Sequence, residues 1–272
     1  MGKTTDIGWT HWPGYVGGTW NPWQGCVKKS PGCDHCYMYR EKLFYGSRPD
    51  VVVRSMPPTF NMPLKVKEPT VFFTCSWSDW FNPEADPWRE EAWDIVRRTR
   101  DRHVFLILTK LAQRIERCLP LDWGAGWPNV ALGVSAEDQQ WADIRLPRLL
   151  KVPAWLHFVS AEPLIGGINL TPYLWPGASE LQPDDPRFAD MQSDVRAMRS
   201  VGSRLGWVIT GGESGPGHRP MRFDWVRSIR DECHHFDVPF FHKQHGGSRK
   251  INGTWGGREL DGQTYDGLPE RL

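Results

Sequence analysis

Six short apolar runs punctuate the chain: Val71–Cys75, His103–Thr109, Val130–Ser135, Trp155–Ser160, Trp207–Thr210 and Pro239–His242. They are rich in Val, Ile, Leu and Phe and do not alternate strictly. That is the pattern of strands buried on both faces of a parallel sheet. An earlier strand is expected through Gly18–Trp20. Between the runs lie polar turns and segments with helical spacing. Asp86–Thr99 carries Trp88, Ala92, Ile95 and Val96 on one stripe. Arg97, Arg98 and Arg100 sit towards its end, where positive charge suits the negative pole of a helix. Ala112–Cys118, Gln139–Leu150 and Asp224–His235 read the same way. Six or seven βα units in succession predict an α/β fold, a full or partial (β/α) TIM-type barrel of parallel strands.

The rhythm breaks at about residues 171–206. Thr171–Pro186 is rich in Pro and acidic residues, and a polar helix is expected at Asp190–Ser200, so this stretch reads as an insertion between the fifth and sixth strands. From about residue 247 the chain is Gly-rich and polar, and reads as an irregular tail. No other repeat or boundary is evident, so residues 1–272 read as one domain.

Composition narrows the class. A chain of 272 residues can bury a large core without disulfides. Its 33 Lys plus Arg balance 32 Asp plus Glu, so no global basic field marks it for nucleic acid, though a local one would be compatible. No apolar stretch approaches the length of a membrane span, and Met1–Trp12 lacks a signal-peptide core. The expectation is a cytoplasmic protein without membrane contact, whose six cysteines are thiols or metal ligands. The 16 tryptophans, many beside Gly, Pro, Asn or Asp, read as packing for loops.

Three cysteines carry the chemistry. Six residues separate Cys26 from Cys33, and two separate Cys33 from Cys36. Thiolate is a soft ligand suited to iron–sulfur clusters and zinc. The close pair lets two sulfurs reach one centre, and Gly25, Pro31 and Gly32 allow the turn that brings round the third. A closed structural zinc site takes four ligands, whereas a cubane held by three leaves one iron open for a small molecule. The loop follows the first strand, at the end where barrel active sites lie. The alternative is a zinc site completed by His35, Cys75 or a distant histidine, in a non-catalytic chain that binds nucleic acid or protein. Cys118 and Cys233 lie in helical patterns and read as core, while Cys75 ends a strand and could face a pocket.

These residues resemble the radical S-adenosylmethionine (SAM) superfamily, and within it an often phage-encoded, radical-SAM-like branch. The likeness is carried by Trp20-Asn21-Pro22 through Cys36-Tyr37, by Ser160-Ala161-Glu162-Pro163-Leu164, by Gly211-Gly212-Glu213-Ser214-Gly215-Pro216 with Arg219-Pro220-Met221, and by Pro239-Phe240-Phe241 with Lys243-Gln244. The superfamily usually has three residues between its first two cysteines, and here there are six. The resemblance implies an enzyme with a [4Fe–4S] cluster on Cys26, Cys33 and Cys36 and S-adenosyl-L-methionine on the open iron. It implies reductive cleavage of that cofactor, hydrogen abstraction from a substrate, and an electron donor such as a flavodoxin or ferredoxin. The resemblance itself names no substrate; local Arg clusters and the phage-type context make a nucleic acid or nucleotide one candidate.

By the same analogy, Ser76, Ser78 and Asp79 after the second strand would take the amino group of SAM. Ser135 and Glu137 would take the ribose hydroxyls, and His35 the adenine. Capping of the following helices is the other role open to Asp79 and Glu137. Gly211-Gly212-Glu213 follows the sixth strand, whereas the superfamily's Gly-Gly-Glu follows the second, so that role does not transfer. Charged or hydroxyl residues end nearly every strand, which predicts a polar pocket above an apolar barrel. Glu162, Glu213, Arg219 and Lys243 are its candidate substrate residues.

Overall fold

The computed structural model describes residues 4–175 and 204–270. Seven strands form one sheet: β1 (Val16–Trp20), β2 (Thr70–Thr74), β3 (His103–Thr109), β4 (Val130–Ser135), β5 (His157–Ala161), β6 (Trp207–Gly211) and β7 (Phe240–Gln244). Spatial order equals chain order and every neighbouring pair is parallel. The sheet curls into a half-barrel, a partial TIM-type fold, whose end strands β1 and β7 do not pair. All expected strands are present, with shifted ends. The last reaches Gln244 rather than His242, which carries Lys243 into the strand.

Among the described residues, four helices of eight residues or more flank the strands: α1 (Tyr37–Phe44), α2 (Asp86–Arg98), α3 (Gln139–Leu150) and α4 (Phe223–His235). Alternate strand residues face outwards, and Phe105, Ile107, Leu132, Val134 and Val208 form one core with Ala92, Val96, Leu146 and Ile229 of the helices. The expected helix at Ala112–Cys118 is instead two separate 3₁₀ turns, Ala112–Arg114 and Glu116–Cys118. Pro120 explains the stop, because a residue before proline is driven out of the α region, and Leu119 adopts ψ 149°. Trp123 and Trp127 fill the space, with ring centroids 5.8 and 5.6 Å from Trp93. The helix expected at Asp190–Ser200 lies outside the described residues.

The inward residues form a second core: Val71, Leu106, Ala131, Phe158, Trp207, Ile209 and Phe241. An open barrel would leave this face wet. Here the N-terminal segment folds into it. Gly8–Thr10 makes a 3₁₀ turn, which drives Trp9 against Phe73 at 4.7 Å and Trp207 at 6.1 Å. Trp12 packs on Trp207 at 5.9 Å and donates its indole N–H to the Trp9 carbonyl at 3.1 Å. The two free edges are covered by short antiparallel contacts, Thr4 on Gly18 and Asp266 on Phe241.

The Trp9 plug sets the first prediction. Trp9→Ala should destabilise the protein by roughly 3–5 kcal/mol in urea unfolding, because it empties the lumen rather than a surface groove.

Candidate functional site

The loop between β1 and α1 carries the three cysteines at the carboxyl-end rim of the half-barrel. Its path is dictated locally. Gly25 has φ 98°, and a Cβ there would stand 2.0 Å from the Val51 carbonyl oxygen. The Gly25 N–H donates to Trp77 O at 2.9 Å, and Ser78 Oγ donates to Gly25 O at 2.6 Å. The Cys26 N–H donates to Pro49 O at 2.9 Å, and Tyr39 Oη donates to Cys26 O. Pro31–Cys33 forms a 3₁₀ turn, and Cys36 is the N-cap residue of α1.

Cys26, Cys33 and Cys36 are free and partly buried, and all three line one cavity of about 520 Å³. Its floor includes Trp9, Phe73 and Leu108, the top of the inner core. The Cys26 thiol is pushed up to about 12, first by burial, then by Asp79, Cys33 and Cys36, with Lys110 opposing. Burial and the neighbouring acidic groups thus favour the neutral Cys26 thiol unless a positive charge is bound beside it. Among the described residues, no three His, Cys, Asp or Glu side chains converge as they would around a single metal ion.

The strand-end residues divide into two sets. Ser76, Ser78, Asp79, Ser135, Glu162, Glu213, Lys243 and His35 line the same cavity as the cysteines. Ser76 exchanges hydrogen bonds with the Asn21 side chain, and Ser78 is committed to Gly25. Asp79 is saturated by protein donors: Phe81 N–H at 2.9 Å, Thr109 Oγ1 at 2.7 Å and Lys110 N–H at 2.9 Å. It organises the β2 and β3 loops. Glu162 and Lys243 form an ion pair across the β5 and β7 ends.

Glu137 and Arg219 do not line the cavity wall. Glu137 lies beneath the cysteine loop with its side chain 0% exposed. It accepts from Ser30 Oγ at 2.6 Å and Arg145 Nη1 at 2.8 Å, and Lys110 Nζ stands 3.4 Å away. Gly32 rests on it so closely that a Cβ would fall 2.3 Å from Glu137 Cγ. Burial pushes the Glu137 carboxyl up, but Lys110, Arg145 and the Ser30 hydrogen bond outweigh it and hold it below its ordinary value. The cap of α3 is the next residue, Asp138, whose Oδ1 accepts from Trp141 N–H at 3.1 Å.

The β6 loop reaches the cysteine loop from the other side. Glu213 Oε2 pairs with His35 Nδ1 at 2.8 Å and accepts the Arg219 N–H at 2.7 Å. Arg219 Nε donates to Glu213 Oε1 at 3.1 Å, and its Nη2 donates to Pro31 O at 2.7 Å. Burial pushes the Glu213 carboxyl up, but hydrogen bonds from Arg219 and His35 hold it below its ordinary value. Sequence reasoning singled out Glu213, Arg219 and His35 separately, without their contact. It passed over Ser30, Tyr39, Arg145 and the Trp9 floor, whose spacing along the chain carries no local signal.

Among known proteins, the family model described as "Protein of unknown function (DUF5131)" matches residues 4–269, and the chain belongs to that family. No curated protein matches it. A solved structure of spore photoproduct lyase complexed with dinucleoside spore photoproduct is similar over 77% of this chain and 58% of that chain, at 15% identity and TM-score 0.39. A mutant of spore photoproduct lyase with bound AdoMet and dinucleoside spore photoproduct is similar over 85% of this chain and 63% of that one, at 12% identity and TM-score 0.40. The chain thus spans less than two thirds of the length of either.

The Glu137 anchor predicts an acid limb. A carboxyl whose folded pKa is depressed contributes fully above its unfolded value of 4.5, and the contribution is lost as pH falls through the lower folded value. Glu137→Gln should flatten that limb. At pH 7 it should cost about 3–5 kcal/mol, because Arg145 is left buried without its counter-charge. Urea titrations at pH 7 and in the acid range check both.

Proposed function

We propose that this member of the DUF5131 family is a radical SAM-type enzyme whose Cys26, Cys33 and Cys36 hold a [4Fe–4S] cluster. One observation carries the reading: all three thiols line a single cavity at the carboxyl-end mouth of a parallel half-barrel. Barrel enzymes build their active sites at that face. The donor set is three soft thiolates, which suits iron–sulfur binding with one position left open.

When bound, the cluster with S-adenosylmethionine supplies reductive cleavage of the cofactor and hydrogen abstraction from substrate. The chain's own residues do the rest. Cys26, Cys33 and Cys36 bind as thiolates, with the Lys110 charge favouring ionisation of Cys26. Phe73, Leu108 and Trp9 form an apolar floor that keeps solvent from the reacting region. His35 and Ser135 are the polar wall groups offered to the cofactor, with Ser76, Ser78 and Asp79 holding the wall in shape. Glu162 and Lys243 face the substrate side as an ion pair that a polar or charged substrate can exchange with.

The cavity wall carries Lys28, Lys29, Lys110 and Lys243 beside Asp79, Glu162 and Glu213; Lys243 is paired with Glu162, so Lys28 and Lys29 are the cations offered to an anionic substrate, a nucleotide or nucleic acid. Electrons would come from a flavodoxin- or ferredoxin-type donor. No helix among the described residues is long and apolar enough to cross a membrane.

Anaerobic reconstitution should give brown protein with about four iron and four sulfide per chain. Reduction with S-adenosylmethionine present should release 5′-deoxyadenosine. Replacing any of Cys26, Cys33 or Cys36 by Ser should abolish both, and Cys118→Ser should abolish neither. Colourless protein holding one zinc would overturn the enzyme reading in favour of a zinc-binding interaction protein. A second measurement addresses the substrate: binding to single-stranded DNA or RNA should weaken steeply between 50 and 200 mM salt, in the way that phosphate contacts require.

A further inference from the structure

The Gly211-to-Arg219 segment is bonded both to the C-terminal tail and to the cysteine loop. We propose that Glu213 and Arg219 are positioning residues: they lock the Ser30–Cys36 loop onto the opposite rim of the half-barrel and fix the orientation of His35. The lock stands on contacts alone, while its effect on a cluster rests on the function proposed above.

The β6 loop is tied to the C-terminal tail. Gly212 passes so close to the C-terminal tail that a Cβ would lie 2.0 Å from the His245 carbonyl oxygen. The Gly247 N–H donates to Glu213 O, and the Gly215 N–H donates to Gly247 O, both at 2.8 Å. From this loop the Glu213 side chain, 4% exposed, accepts from three directions: the His35 ring, the Arg219 backbone and the Arg219 guanidinium. A carboxylate has lone pairs for all of them, whereas a glutamine has one acceptor oxygen.

Arg219 bridges the gap. Its planar fork holds Glu213 with Nε while Nη2 reaches Pro31 O, and its Nη1 lies 3.8 Å from Asp34 Oδ2. One lysine ammonium cannot hold that geometry. The residues it grips lie on either side of Cys33, Pro31 two positions before it and Asp34 directly after, and His35 sits between Asp34 and Cys36. The Glu213 hydrogen bond calls for a proton on His35 Nδ1. That contact fixes the plane of the ring that lines the cavity.

The experiment is hydrogen–deuterium exchange on the full-length protein as purified, comparing wild type with Arg219→Lys and Glu213→Gln. Both variants should raise exchange across Ser30–Cys36 by roughly tenfold, the factor that corresponds to about 1.4 kcal/mol of local stability. Peptides from β3 and β4 should be unchanged. Unchanged exchange in the cysteine loop of the folded variants overturns the lock. If Glu213→Gln fails to fold, Arg219→Lys alone decides, since its side chain lies at the rim. A second readout is the electron paramagnetic resonance spectrum of the reduced, iron-loaded protein. It should broaden or shift in Arg219→Lys, and an unchanged spectrum overturns the positioning role. Wild type that takes up no iron overturns the cluster reading and its positioning consequence, while the exchange result still decides the lock.

Discussion

A parallel sheet that curls but does not close has a mechanical problem at its mouth. Backbone ladders fix each strand to its neighbour, but β1 and β7 share none. Loops on opposite sides of the rim must be tied by side chains, or they drift independently. Glu213, with Arg219 and His35, is that tie. It joins the loop after β1 to the loop after β6, with no strand pairing between them. Glu137 makes the second tie from below, holding Ser30 and Gly32 from the end of β4. All three cysteines line one cavity, and these two carboxylates hold the Ser30–Cys36 stretch that carries two of them.

Both ties place buried carboxylates against arginine. Such pairs cost desolvation and add little net stability, but they are costly to break singly. They therefore favour one arrangement more than they strengthen the fold. The stabilising mass lies elsewhere, in the two apolar layers on either face of the sheet. The inner layer is completed by Trp9 and Trp12, which arrive from outside the barrel rhythm. The N-terminal plug keeps the lower lumen dry and sets the depth of the cavity above it.

Much of the fold was legible in the chain. Doubly buried strands read as continuous apolar runs because both faces of a parallel sheet are covered, and these runs located β2 to β7. The α2, α3 and α4 stripes followed from helical periodicity, since one face of each packs on the sheet. The Ala112–Cys118 segment misled because two 3₁₀ turns place apolar residues much as one helical turn does. Cys26, Cys33 and Cys36 were legible as a cluster because they are close in sequence and chemically unusual. Asp79 and Glu137 were visible as carboxylates at strand ends, but not as partners of Thr109 or Arg145. Those partners lie 30 residues along the chain in one case and on the far side of α3's first turns in the other.

The sequence by itself determined the class of fold, the run of βα units and the three-thiol loop, because period, composition and close spacing are local properties. Only the tertiary structure decided that the barrel is half closed, that Trp9 plugs it, and that Glu213 and Arg219 grip the cysteine loop. Those outcomes depend on which rims meet when the sheet curls. Residues 178 apart, such as His35 and Glu213, leave no periodic trace of their contact.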